Sequence, residues 1–167
     1  QEKRPGDEIR IWIPGCATGE EVYSIAILLC EQAAPVLNRF KVQIFATDLD
    51  LNAMAMARKG TYSSASLSEL DAALIAKYFS AKNDGYEISK QLREMVVFAR
   101  QDLAQDPPFL RLDLISCRNV LIYFQIDLQA KILSMFHYAL RPDGYLFLGR
   151  SENIYQKESL FRNLDKD

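Results

Sequence analysis

The sequence predicts an α/β fold in which a parallel sheet carries helices on both faces, with a small antiparallel β element inserted. Three observations carry this. Short apolar runs end at proline, glycine, threonine or serine as buried strands do, and segments with apolar residues three and four apart lie between them. A turn-rich stretch with two further short runs interrupts the alternation. Composition agrees: 167 residues suit one domain, and 49% hydrophobic with 25% charged residues is ordinary for a globular chain. A chain of this length buries roughly two-thirds of the surface its unfolded form exposes, enough for one core.

Residues 9–14 form the first strand, ended by a Pro14-Gly15 loop. Val22, Ile25, Ala26, Leu28 and Leu29 define a helix whose start is marked by Glu20 and Glu21, because carboxylates are favourable at a helix N-terminus. Residues 42–47 form the second strand and 51–59 a short helix closed by Gly60. Ser66 with Glu69 reads as a capping box for a helix carrying Leu67, Leu70, Leu74 and Phe79. The turn signal Asp84-Gly85 introduces runs at 86–89 and 95–100, read together as the inserted β element, about residues 84–100. Pro107-Pro108 marks a loop before a buried strand at 112–116. Asp127 is read as the cap of a helix with Ile132, Leu133, Phe136 and Leu140 on one face. Arg141-Pro142-Asp143-Gly144 is read as a turn before a last strand at 145–149.

The charge and the rarer residues narrow the chemistry. A formal net charge of -2 gives no field that would gather nucleic-acid phosphates, so no nucleic-acid partner is expected. The single histidine, His137, lies in an apolar helical run and reads as structural. Cys16, Cys30 and Cys117 are far apart and odd in number, which suits reduced thiols in a cytoplasm better than disulfides or a metal site. No apolar run reaches the roughly 20 residues that span a bilayer, so a monomeric, cytoplasmic chain without metal or membrane insertion is expected. The first strand begins almost at once and the last residues are charged, as in a piece of something larger.

In an open parallel sheet, ligands collect beyond the carboxyl ends of strands where the strand order reverses, and three motifs fall at such ends. The first, Gly15-Cys16-Ala17-Thr18-Gly19-Glu20-Glu21, has glycines that let the backbone approach a nucleotide-like ligand, but no lysine for phosphates. Its two acids would repel a pyrophosphate and suit a ligand with a cationic group. The second, Ala46-Thr47-Asp48-Leu49-Asp50, places Asp48 where the two ribose hydroxyls of an adenosine cofactor can donate to one carboxylate, while Asp50 helps to begin the next helix. The third runs from Ser116 to Phe124: Val120, Leu121, Ile122 and Phe124 read as core, whereas Arg118, Asn119 and Tyr123 read as substrate-orienting groups.

These segments, with Tyr23-Ser24 and Phe147-Leu148-Gly149-Arg150-Ser151-Glu152-Asn153, resemble the CheR-type chemotaxis protein methyltransferases through nearly the whole chain and in the same order. The resemblance implies a Rossmann-like class I S-adenosylmethionine-dependent methyltransferase fold and S-adenosylmethionine as cofactor, with S-adenosylhomocysteine as product. It also implies methyl esters formed on glutamates of a chemoreceptor-type protein. It assigns Gly15, Ala17, Thr18, Gly19, Glu20, Asp48, Asp102, Leu103, Arg118 and Asn119 to the cofactor, with Asp102-Leu103 beside the adenine, and Tyr123 and Arg118 to catalysis. Asp102 stands where many relatives have asparagine, and residues 100–109 are similar to versions fused to a methylesterase. The family's N-terminal helical domain and its linker arginine have no counterpart in this sequence. Two rivals follow: a noncatalytic module that binds S-adenosylmethionine or its demethylated product as a signal, and a nicotinamide-dependent oxidoreductase, which the absence of third-glycine spacing disfavours.

Overall fold

The computed structural model describes residues 3–164; the charged end at 165–167 lies outside them. The chain runs β1 (Glu8–Pro14), α1 (Glu20–Gln32), α2 (Ala34–Leu37), β2 (Lys41–Asp48) and α3 (Leu51–Lys59). There follow β3 (Thr61–Tyr62), α4 (Ala72–Tyr78), β4 (Phe79–Lys82), β5 (Gly85–Ile88), α5 (Lys90–Glu94) and β6 (Val96–Arg100). Last come β7 (Leu112–Cys117), a 3-10 turn at Leu121–Tyr123, α6 (Ile126–Ala139), β8 (Leu140–Leu148) and a second 3-10 segment, Tyr155–Leu160.

Five strands form one parallel sheet in the order β6-β2-β1-β7-β8. From β1 the chain first steps outward through β2 to β6 and then returns to the other side of β1, so the order reverses between β1 and β7. Side chains alternate across each strand; the central strands β1, β2 and β7 are covered on both faces and so read as apolar runs, whereas Tyr145 and Phe147 leave one face of edge strand β8 exposed. Ile11, Ile13, Ile44 and Ala46 pack with Val22, Tyr23, Ala26 and Met54 of α1 and α3. Trp12, Phe45 and Ile115 face the opposite way, onto Ile132, Leu133 and Phe136 of α6.

The inserted β element differs from the expectation of residues 84–100. Val96–Arg100 is an edge strand of the main sheet, in register with residues 44–48 of β2. The small antiparallel sheet is β3-β5-β4, so it gathers residues before and after α4. A short apolar run carries no label for the sheet it joins, and here the parallel ladder with β2 decides it. The capping box is also absent: Asp71 caps α4 by accepting from the Ala73 N–H at 2.7 Å, while Ser66 sits in a turn with Ser63. Phe79 and Leu140, both placed on helix faces by their spacing, begin strands. Gln125, not Asp127, is the cap residue of α6, and it makes no side-chain bond. No turn interrupts β8 at residues 141–144; the ladder jumps from Leu112↔Leu140 to Leu114↔Tyr145, so the extra residues bulge from an edge strand.

Candidate active site

After β1 the backbone turns through Gly15 (φ 68°), Ala17 (φ 45°) and Gly19 (φ 90°), all in the left-handed region that glycine tolerates and alanine adopts only at a cost. Ala17 is held there by its N–H, which donates to Asp48 Oδ2 at 2.9 Å, while the Cys16 N–H donates to the Thr47 carbonyl at 3.0 Å. The end of β2 thus closes the first loop, and two predicted motifs become one structure. Asp48 Oδ1 also accepts from the Asp50 N–H at 2.9 Å. A carboxylate has about four acceptor positions, so Asp48 keeps capacity for ribose hydroxyls. Asp50 caps α3, its Oδ1 accepting from the Asn52 and Ala53 N–H groups.

The glycines do not open space for a ligand on the side where a side chain would stand. A Cβ on Gly15 would lie 2.4 Å from Val120 Cγ2, and one on Gly19 would lie 2.9 Å from Ala57 Cβ. They let the loop close onto the third motif and onto α3. Glu20 is exposed and takes the Thr18 hydroxyl at 2.6 Å. It and Thr18 border a hollow of about 240 Å³ with Met56, Tyr62 and Ser66, on the helix side of the loop. Asp48, Asp102, Leu103, Arg118 and Asn119 do not line this hollow.

The third motif leaves β7 beside the first. Val120 fills the space at Gly15, Asn119 has φ 59°, and the buried Ser116 hydroxyl donates to Glu21 Oε1 at 2.6 Å. Arg118 stands over the Phe147 ring at 5.5 Å, with Nη1 3.9 Å from Glu21 Oε2. Tyr123 ends the 3-10 turn and is 82% exposed, a phenol presented outward rather than packed. Asp102 turns its carboxylate onto its own loop, where the Ala104 N–H donates at 2.9 Å and Gln105 Nε2 at 2.8 Å. Leu103 packs in the α6-side core.

Two acids and one amide take partners in the structure that the sequence did not assign to them. Glu21 joins Ser116 and Arg118, and Glu152 binds the backbone that carries Asn119. Buried Ser116 is the available pointer to Glu21, since a hydroxyl inside a strand end requires a partner. Gln101 follows β6; its N–H donates to the Asp48 carbonyl and its Nε2 to Pro107, but its buried Oε1 has no hydrogen-bond partner.

Neighbouring titratable groups are held neutral. Burial, then the Asp48 charge, pushes the Cys16 thiol up to about 12, and burial with the charges of Glu152 and Glu21 raises Cys117 well above the usual thiol range. Burial also lifts the Tyr23 phenol to about 12 and raises Tyr62. Both phenols serve as donors, to the Ala57 and Thr18 carbonyls. All three cysteines are free and buried, and His137 meets the Phe161 ring edge-on at 5.6 Å. Among the described residues no group of three His, Cys, Asp or Glu is placed to hold a metal, and no helix is long and apolar enough to cross a membrane. The residues present fit an adenosyl sulfonium: carboxylates Glu20 and Asp48 for hydroxyls and a cation, a buried acceptor at Gln101 next to the predicted adenine loop, and no lysine in residues 15–21 for phosphates.

The family described as "CheR methyltransferase, SAM binding domain" matches residues 1–167. The chain is 37% identical over 162 residues to chemotaxis protein methyltransferase 2 of Vibrio cholerae, covering 95% of this chain and 56% of that protein. It is 38% identical over 156 residues to an uncharacterized 104.1 kDa protein of Rhodobacter capsulatus, covering 93% of this chain and 16% of that protein. The chain therefore spans little more than half of one relative and a small part of the other. Among solved structures, PKMT2 from Rickettsia typhi in complex with AdoHcy superposes with a TM-score of 0.51 at 18% identity, over 84% of this chain and 20% of that one, a likeness of fold. The sheet order and these matches agree on a Rossmann-like class I methyltransferase fold with S-adenosylmethionine as cofactor: the chain belongs to the CheR methyltransferase SAM-binding domain family.

Proposed function

We propose that this chain is the catalytic domain of a protein-glutamate O-methyltransferase that esterifies glutamate side chains of chemotaxis-type receptors, working in the cytoplasm as a monomer. The observation that carries the reading is the junction of three motifs at the reversal of strand order: Ala17 bonded to Asp48, and Gly15 against Val120. Gly15, Ala17, Thr18 and Gly19 shape the loop; Glu20, Asp48, Asp102, Leu103, Arg118 and Asn119 are the residues to hold the cofactor. Bound there, S-adenosylmethionine supplies an activated methyl group and its own leaving group.

The chain's own residues then have a limited task. A glutamate carboxylate, with a pKa of about 4.3, is ionised near neutral pH and needs no general base. This suits a site whose nearby thiols and phenols are held protonated. Arg118 and Tyr123 orient the substrate carboxylate at the rim, and such orientation can be worth roughly 7 to 11 kcal/mol. The receptor and its glutamates are read out by mass spectrometry of candidate receptors incubated with full-length protein and cofactor. One methyl gained at glutamate and removed by mild base supports an ester. Cofactor binding with no transfer to any receptor would instead identify a signal-binding module.

A further inference from the structure

The carboxylate of Glu152, beyond the end of β8, is the convergence point of four main-chain donors. Oε1 accepts from the N–H groups of Val120 at 2.8 Å and Leu121 at 2.7 Å; Oε2 accepts from Asn119 at 3.0 Å and Gly149 at 2.7 Å. Three of these donors are consecutive residues of the segment that leaves β7, and the first of them, Asn119, has φ 59°. Asparagine enters that conformation more readily than most side chains, and successive N–H groups pointing to one side form a concavity suited to an anion. Here the anion belongs to the protein. Its carboxylate is thereby saturated and has no spare acceptor for a ligand.

We infer that Glu152 is a positioning residue for methyl transfer: by gathering the 119–121 amides it fixes the backbone from which Arg118, Asn119 and Tyr123 project. The inference rests on the reading of Arg118 and Asn119 as cofactor and substrate residues. Gly149 is part of the same device, because a Cβ there would lie 2.8 Å from Glu152 Oε2 and 3.1 Å from both the Asn119 backbone nitrogen and Oδ1. The far end of a glutamate normally yields to such a contact, but this one is pinned by four bonds. The motif around residues 147–153 thus acts without touching the reactants: glycine leaves the room, and the acid fills it.

The test uses full-length protein and S-adenosylhomocysteine, followed by calorimetry, with methyl transfer to a receptor as the second readout. Glu152→Gln keeps the shape but presents an amide nitrogen to two of the four donors. We expect its Kd for S-adenosylhomocysteine to rise roughly tenfold and turnover to fall by up to roughly 100-fold, the scale of a misplaced reacting group. Ile132→Val in the buried α6 core supplies a control that lowers the thermal midpoint without touching the site. The control is expected to bind and turn over as the wild type does. If Glu152→Gln does so too, the role is overturned and Glu152 is only a structural clamp. If Glu152→Gln does not fold, Gly149→Ala, which retains the acid and displaces it, takes its place: loss of affinity and turnover supports the role, and wild-type values for both overturn it. A wild-type protein that fails to bind S-adenosylhomocysteine would overturn the underlying site reading instead.

Discussion

Tyr123 carries the sharpest test at the scale of single residues. Its phenol stands outward at the end of the 3-10 turn, so Tyr123→Phe removes a polar group with little packing loss. We expect kcat to fall roughly tenfold while the Kd for S-adenosylhomocysteine changes less than about twofold, as a transition-state contact requires; equal losses in both would remove Tyr123 from catalysis. Gly15→Ala meets both φ 68° and the Val120 methyl at 2.4 Å, and is expected to destabilise the domain by about 1 to 3 kcal/mol in chemical denaturation. Cys16 is buried and its thiol is pushed up to about 12, whereas an unfolded thiol titrates near 9. The unfolded chain therefore loses its proton first, and this group's contribution to stability is present below pH 9 and lost as pH rises toward 12. With Cys30 and Cys117 also buried, a thiol reagent at neutral pH is expected to react fast only after denaturant is added. That the Gly15 loop and Asp48 lie together at the ends of β1 and β2 was legible from motif and strand position alone. Glu152 stands in the 147–153 segment, but its pairing was not legible, because three of its four partners come from a segment about 30 residues away in sequence.

Among the elements, β1, β2, α3 and β7 follow directly from apolar periodicity and turn chemistry, and Asp50 and Gly60 close α3 as its sequence implies. The misplaced helix ends lie within a few residues of the true ones or of a strand start. Ser66/Glu69, Phe79 and Asp127 carry valid local signals for a helix, yet Asp71, whose carboxylate accepts from the Ala73 N–H, β4 and Gln125 take those places. At the other end of α1, Glu31 Oε1 accepts from Lys77 Nζ at 2.7 Å and from the Tyr78 hydroxyl at 2.5 Å, tying the helix to α4. The Lys77 bond, then the Tyr78 bond, holds the Glu31 carboxyl below its ordinary value of 4.5. A depressed carboxylate adds stability above that value and loses it as pH falls through the folded pKa. Thermal melts from about pH 6 to about pH 3 are expected to show a shallower acid-side decline in Glu31→Gln than in wild type, the opposite slope ruling out the tie.

Across the whole molecule, stability rests on two cores separated by one sheet, with Trp12 fully buried between the rings of Phe109 and Phe136 and its Nε1–H on Thr47 Oγ1 at 2.9 Å. Phe136→Ala empties the α6 side and is expected to cost about 3 to 5 kcal/mol, measured by denaturant unfolding. The site survives only while both cores hold the sheet, since its loops hang from strand ends. Alternating apolar segments and turn residues determined that this chain is a parallel α/β domain with three polar motifs at its strand ends, because periodicity and turn residues are local properties. Tertiary structure alone decided that Val96–Arg100 joins the main sheet, that the space at Gly15 and Gly19 is taken by Val120 and Ala57, and that Glu21 and Glu152 brace the third motif. Each of those outcomes is a pairing between residues far apart along the chain, and only the folded chain brings the partners together.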